Sequence, residues 1–324
     1  MFILDWLKTG VSWVLLKFHA LFSALGLDYD GGWTWVLSII FLVILIRIIL
    51  IPLFVKQIKA QRNMQIIQPK IKEIQKKYAG DREKQSAEMM KLYRESKTNP
   101  LASCLPIILQ APIFFALFGV LQGVAQYNPT DPNHGAPPGF SDTAAASAHN
   151  ASIFGAPLYG YLMGALKEPE NLANFSINAT IALSIVLIIA MTVTSFLTQR
   201  QMILKNSAPG NPMVRQQKIL MYVFPIVFAV GGINFPIGVL IYWFTTNLWT
   251  MAQQFYVIRN NPQPGTPAEA AHLKRKAEKA TAKALKDGSA SSAVVEGEVV
   301  EQAPDAPAPR VQPKKQSRSK RKKN

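Results

Sequence analysis

The sequence is poor in the residues that most chemistry needs. Its 324 residues hold one cysteine, Cys104, and four histidines, none in a metal-ligand spacing such as HExxH. A single cysteine excludes a disulfide framework and any multi-cysteine zinc site. GxSxG and Walker signatures are missing as well, so neither a hydrolase nucleophile elbow nor a phosphate-cradling loop is present. The sequence therefore predicts no cofactor and no enzyme. Charge is also scarce. Only 17% of residues are charged, and acids are the rarer sign, with 19 Asp and Glu against 35 Lys and Arg. A net charge of +16 on a chain that is 49% hydrophobic requires charge and apolar residues to be segregated. A nucleic-acid binder with a large core, a membrane protein with basic loops and a soluble protein with a basic tail all satisfy that requirement.

Apolar runs decide among the three. Trp33 to Val55 is a 23-residue stretch whose only charge is Arg47. At about 1.5 Å per helical residue it can cross a hydrocarbon core of ~30 Å. Leu101 to Val124 is a second uncharged run, broken by Pro106 and Pro112, and Ile177 to Leu197 is a third. The apolar segment Ile219 to Ile258 is too long for one crossing and is interrupted by Gly231, Gly232, Asn234 and Pro236. It reads as two spans, 219–233 and 237–258, joined by a turn at Asn234-Phe235-Pro236. The fold class expected is an all-α integral membrane protein with five transmembrane helices.

Basic residues in the loops set the orientation. Residues 56–100, 198–218 and 259–324 carry twelve, four and fifteen Lys or Arg, whereas 1–32 and 125–176 carry two and one. The N-terminus is thus expected outside and the C-terminus in the cytoplasm, with 125–176 an extracytoplasmic loop. Residues 1–32 read as an extracytoplasmic interfacial helix. Asp5, Lys8, Ser12, His19 and Ser23 share one helical face, while Trp6, Trp13, Lys17 and His19 interrupt the apolar region a signal peptide would need. Residues 56–100 read as a cytoplasmic helical hairpin. Its first stripe is Ile67, Ile71, Ile74 and Tyr78, its turn Gly80-Asp81, its second stripe Ala87, Met90 and Tyr93 or Arg94, and Asn99-Pro100 closes it. Residues 259–324, without aromatics and ending in a Lys/Arg cluster, read as a disordered basic tail suited to anionic lipid head groups or ribosomal RNA.

Arg47 is the most informative residue. It lies eight residues before Val55, about 12 Å along the helix and farther than its side chain comfortably snorkels. An arginine at that depth costs ~3 kcal/mol on insertion scales and ~10 or more in simulations, so it normally faces protein interior or water. No Asp, Glu or His in any expected span can pair with it. Other spans carry polar stripes: Ser184, Thr192, Ser195 and Gln199 in the third, Trp243, Thr246, Asn247, Thr250, Gln253 and Gln254 in the fifth, and Ser103 with Gln110 in the second. Taken singly, such stripes also serve as hydrogen-bonding glue between helices. Beside an unpaired arginine they read as the walls of a wet groove. A polar-solute transporter or channel would use the same groove. The absence of intramembrane acids for a proton relay and of an inverted repeat counts against it.

Several ordered motifs in this frame resemble one family. Leu45-Ile46-Arg47-Ile48-Ile49-Leu50-Ile51-Pro52-Leu53, Gln68-Pro69-Lys70-Ile71, Asn99-Pro100-Leu101-Ala102-Ser103-Cys104-Leu105-Pro106, Gln110-Ala111-Pro112-Ile113-Phe114-Phe115-Ala116-Leu117, Asn234-Phe235-Pro236-Ile237-Gly238, Tyr242-Trp243 and Asn247-Leu248 are similar to motifs of the YidC membrane protein insertases (the YidC/Oxa/Alb family), in the bacterial form without a large extracytoplasmic domain. The resemblance covers residues 33–259. It implies a five-helix insertase and chaperone with a hydrophilic groove open to cytoplasm and lipid. Arg47 matches the groove arginine, and Gln199 and Trp243 match groove-lining positions, with Gln110, Thr192, Ser195, Thr246, Asn247 and Thr250 beside them. It also implies that the hairpin receives substrate through Gln68, Pro69, Lys70, Met89 and Met90. Nascent membrane proteins, the ribosome, the Sec translocon and anionic lipids are the partners expected.

Overall fold

The structure, a computed structural model, describes residues 2–96, 105–172, 174–206 and 212–286. Compact units divide after Lys274, and the helices that matter here lie in the first. The described chain is mostly helical: α1 (Phe2–Ala24), α2 (Gly32–Ile49), α3 (Ile51–Ile66), α4 (Gln68–Lys77), α5 (Arg82–Glu95), α6 (Leu105–Ala125), α7 (Asp142–Asn150), α8 (Leu162–Lys167), α9 (Ile177–Asn206), α10 (Pro212–Gly232), α11 (Ile237–Asn260) and α12 (Pro267–Lys286). Two-residue strands, β1 (Ser152–Ile153) and β2 (Ala156–Pro157), form an antiparallel hairpin between α7 and α8. Among the described residues, α2 and the stretch Ile177–Lys205 of α9 are long and apolar enough to cross a membrane, and Gln110–Ala125 and Met221–Gly232 are shorter apolar helices.

The core forms where α1, α2, α6, α9 and α11 meet. Leu15, Trp35, Ile39, Leu42, Val43, Leu117 and Leu240 are buried there. Gly238, at the start of α11, packs against the side chains of Ile39 and Leu121 at ordinary contact distance. The first amides of α11, orphans at any helix N-terminus, are satisfied from the loop: Ile237 N–H donates to the Gly160 carbonyl and Gly238 N–H to that of Leu158, both at 2.8 Å. Met163 N–H in turn donates to the Ile233 carbonyl at 2.9 Å. The Asn234-Phe235-Pro236 turn expected between α10 and α11 is thereby pinned in place.

Several boundaries differ from the expectations. The 33–55 helix is interrupted at Leu50, because Pro52 has no N–H to give the Ile48 carbonyl and its ring crowds the preceding turn. The third apolar helix continues nine residues past Leu197 to Asn206, since Gln, Arg and Leu beyond the apolar run still favour helix. The tail expected to be disordered begins instead with α12, whose Ala, Lys and Glu content is strongly helix-forming. In α5 the inward stripe is Gln85, Met89 and Leu92, and not Ala87 and Met90, which are exposed. The helix phase is set at its start, where the Asp81 side chain caps the Lys84 N–H at 3.1 Å and Gln85 Nε2 donates to the Gln75 carbonyl of α4 at 3.3 Å. The Asn99-Pro100 closure, the first residues of the 101–124 run and the terminal Lys/Arg cluster lie outside the described residues.

The polar face of α1 also turns differently. An interfacial helix would show Asp5, Lys8, Ser12, His19 and Ser23 to water, yet Ser12 and His19 are buried while Trp6 and Trp13 are exposed. His19 stacks on Trp35 with centroids 4.0 Å apart, and its Nε2–H donates to the Tyr29 carbonyl at 2.9 Å. That carbonyl also accepts from the Ser147 hydroxyl, which in turn receives the Trp35 indole N–H. Burial pushes the His19 imidazole below the ordinary histidine pKa, against the opposing pull of the Tyr29 carbonyl and Asp30. The docked α1 therefore favours the neutral ring. Its contribution is complete above about pH 6.5, the unfolded value, and declines as pH falls from there toward the folded pKa. Proteolysis of α1 is expected to accelerate over that window and to lose most of its pH dependence in His19→Gln. An unchanged profile in the variant would place the sensitivity elsewhere.

Candidate functional site

The site begins with Arg47, in the last turn of α2. Although the helix is almost wholly apolar, the side chain is only 7% exposed. Its guanidinium carbon lies 5.8 Å from the centroid of the Phe54 ring on α3, within cation–π range. Among the described residues no carboxylate lies within ion-pair distance of it. Tyr242, a buried residue of α11, lies within electrostatic range of the guanidinium. Gln110 Nε2, from α6, donates to the Tyr242 hydroxyl at 3.1 Å. One polar cluster thus joins α2, α6 and α11 within an otherwise apolar packing.

A second cluster lies farther along α11. Asn247 Nδ2 donates to Ser195 Oγ at 2.8 Å and to the Met191 carbonyl at 3.2 Å, which ties α11 to α9. A recess of about 50 Å³ opens beside this link, walled by Met191, Thr192, Ser195, Pro225, Phe228, Trp243 and Asn247. Trp243 connects the clusters: its ring meets Phe114 of α6 at 5.1 Å, Phe228 of α10 at 4.6 Å and Phe235 of the turn at 5.4 Å. These are the edge-to-face and tilted arrangements that aromatic quadrupoles favour. The recess therefore has a polar wall from α9 and α11 and an aromatic one from α10 and α11, with Phe114 of α6 behind Trp243.

The residues proposed from sequence do not all behave alike. Arg47, Gln110, Ser195, Trp243 and Asn247 are brought into the two clusters. Thr192 and Thr250 turn their hydroxyls back onto the Ile188 and Thr246 carbonyls of their own helices at 2.7 and 2.8 Å, so they are satisfied without a partner helix. Thr246 is half-buried one turn beyond Tyr242, and Gln199 is half-buried one turn beyond Ser195. The hairpin residues lie on other elements: Gln68 opens α4, Pro69 and Lys70 are exposed beside it, Met89 is half-buried on α5 and Met90 exposed.

Sequence reasoning passed over Tyr242, Gln57 and Trp249 as site residues. The buried Gln57 amide nitrogen, the Trp249 indole nitrogen and the Gln253 carbonyl oxygen find no hydrogen-bond partner among the described residues. Native proteins rarely leave such groups unpaired, since each costs about 1–3 kcal/mol. For Tyr242 a signal was available in outline, a polar-tipped side chain on an apolar helix; Gln57, between Lys56 and Ile58, carried none.

The family model of the 60Kd inner membrane protein matches residues 27–264. The "Membrane protein insertase YidC" of Streptomyces avermitilis is 52% identical over 267 residues, which cover 82% of this chain and 60% of that protein. This chain therefore spans about three-fifths of that relative's length. The protein of the same name from Mycolicibacterium paratuberculosis is 35% identical over 271 residues, covering 79% of this chain and 75% of that protein. A crystal structure of an active YidC insertase with its first transmembrane domain resolved is 25% identical, with a TM-score of 0.44, covering 78% of this chain and 46% of that one.

Proposed function

This chain belongs to the family of the 60Kd inner membrane protein and the YidC membrane protein insertases, and we propose that it inserts newly made membrane proteins through a polar groove walled by α2, α6, α9 and α11. The observation that carries the reading is the buried Arg47, which has no carboxylate partner among the described residues and lies within electrostatic range of Tyr242, itself hydrogen-bonded by Gln110. A buried cation without an acid is costly to the fold, and a site that binds a polar, acidic segment in passage gives it a use. The Gln57, Trp249 and Gln253 groups, without a hydrogen-bond partner among the described residues, support the same reading, because they are donors and acceptors ready for water or a peptide.

On this reading α2, α6, α9, α10 and α11 are the five spans, with the N-terminus outside and the hairpin α4–α5 in the cytoplasm. The exposed Pro69, Lys70 and Met90 present a basic, Met-bearing surface on which a chain arriving from the ribosome or the Sec translocon first settles. The substrate's hydrophilic tail then enters the groove. There Arg47 and the polar groups of α11 replace part of its hydration, which lowers the cost of leaving water. Its apolar helix moves into lipid, and that burial supplies the driving force without nucleotide hydrolysis. Anionic lipid near the basic cytoplasmic segments holds the complex at the bilayer surface.

Liposomes containing only this chain and a small single-span substrate test the proposal. The expected result is a translocated tail protected from external protease, at a rate well above that of empty liposomes. Membrane association without protection would reduce the role to assembly of helices. Solute flux in the absence of any substrate protein would favour a channel.

A further inference from the structure

The tip of the β1–β2 hairpin is Phe154-Gly155, and both residues have positive φ, 53° and 82°. That is the type I′ geometry whose twist suits a two-residue hairpin. Its first position normally holds Asn, Asp or Gly, and a bulky aromatic there is strained. Phe154 is the only non-glycine residue with positive φ among the described residues. Nor does internal packing offset the strain, because the ring is 73% exposed. Its ring contact is Trp33, edge-to-face at 5.5 Å, itself 53% exposed. Two large aromatic rings thus stand together in the open.

Their position is fixed. Gly32, the first residue of α2, abuts the Ser152 backbone so closely that a Cβ there would strike its carbonyl. On the other side Ser176 N–H donates to the Gly155 carbonyl at 2.8 Å. The tip therefore cannot swing away from the end of α2, the point at which an 18-residue apolar helix begins.

The geometry points to an aromatic anchor: Phe154 and Trp33 seat the hairpin tip in the head-group and glycerol zone of a phospholipid leaflet, at the level where α2 enters the bilayer. The inference rests on α2 being a membrane span. Aromatic rings concentrate at that zone, and moving an exposed phenyl ring out of water compensates the backbone strain at its own position. The anchor fixes the height of the loop that caps the first turn of α11, so its effect reaches the helix that carries Tyr242 and Trp243.

The test uses the full chain with Cys104→Ser, reconstituted in phosphatidylethanolamine–phosphatidylglycerol vesicles. Nitroxide labels are placed singly at Phe154→Cys, at Phe41→Cys in the middle of α2 and at Asn133→Cys in the exposed loop. At 154, collisions with a water-soluble nickel chelate should be several-fold fewer than at 133, with oxygen access between the values at 41 and 133. A label at 154 as water-accessible as that at 133, with 41 shielded, overturns the anchor alone. Free access of the chelate at 41 overturns the span reading and the anchor with it. Dipolar broadening between labels at 154 assigns the surface to a second copy and overturns the lipid occupant. In unlabelled protein, Phe154→Asn, which suits the turn, should keep or raise the thermal midpoint in detergent. It should also speed proteolysis of the loop several-fold in vesicles, whereas Phe154→Trp should not. A lowered midpoint in Phe154→Asn would make the ring a fold contact and overturn the anchor.

Discussion

Arg47→Ala is expected to slow insertion of a single-span substrate with an acidic translocated tail by about tenfold or more. A carboxylate about 4 Å from a guanidinium gains roughly 4 kcal/mol at an effective dielectric of ~20. Stripping water from the acid takes back much of this, and a remainder of about 1.4 kcal/mol is one factor of ten. Arg47→Lys should keep part of the rate, because it keeps the charge but loses the planar guanidinium that lies over the Phe54 ring. The expected effect on stability has the opposite sign. Arg47 is buried without an ion pair among the described residues, so Arg47→Met removes an uncompensated charge and should hold or raise the thermal midpoint. Slow insertion by a protein at least as stable as wild type is the combination that identifies a functional charge. Insertion at the wild-type rate by an equally abundant Arg47→Ala protein would remove Arg47 from the mechanism. A large fall in the midpoint would assign the loss to folding.

Trp243→Ala should give the largest structural loss. The indole meets rings from α6, α10 and the turn before α11 at 4.6 to 5.4 Å, so its removal enlarges a cavity that already exists beside Asn247. Truncating a packed Trp typically costs about 3–5 kcal/mol, and because this one is half-buried the lower end, about 3 kcal/mol, applies. The attraction lost is mainly packing between helices. Thermal unfolding in detergent should therefore fall by several degrees, while Trp243→Phe should recover most of the loss. A midpoint within a degree of wild type for the alanine variant would mean that the aromatic cluster does not hold α6, α10 and α11 together. Insertion should fall in the alanine variant as well, but together with stability, which separates it from Arg47→Ala.

Much of the architecture was legible because apolar runs and helical periodicity are local. The positions of α2, α9 and α11, the turn at Asn234-Phe235-Pro236 and the hairpin turn at Gly80-Asp81 all follow from residues near one another in the chain. The differences have physical causes that hydropathy does not weigh. Pro52 interrupts a helix whose side chains remain apolar, and α12 forms from good helix formers in a segment too polar to build a core. The α5 stripe had two phases available, and the Asp81 cap with its contact to α4 selected the one that buries Leu92. The β1–β2 turn was hidden because Phe154 occupies a position where chain statistics expect Asn or Gly.

For the candidate site the division is sharper. Sequence alone determined that Arg47 sits in an apolar helix without a nearby acid, and that α9 and α11 each carry a polar stripe, because composition and the 3.6-residue repeat fix which side chains share a face. The repeat says nothing of what stands opposite that face. Only the tertiary structure decided that Gln110 meets Tyr242 across 132 residues of chain, that Asn247 finds Ser195 and that Trp243 closes against three phenyl rings. It also separated hydroxyls of one stripe that look equivalent in sequence: Thr192 satisfies itself on its own helix, whereas Ser195 accepts from a neighbour. Hydrogen-bond partners are chosen by distance and direction in space, and those exist only once the helices have packed.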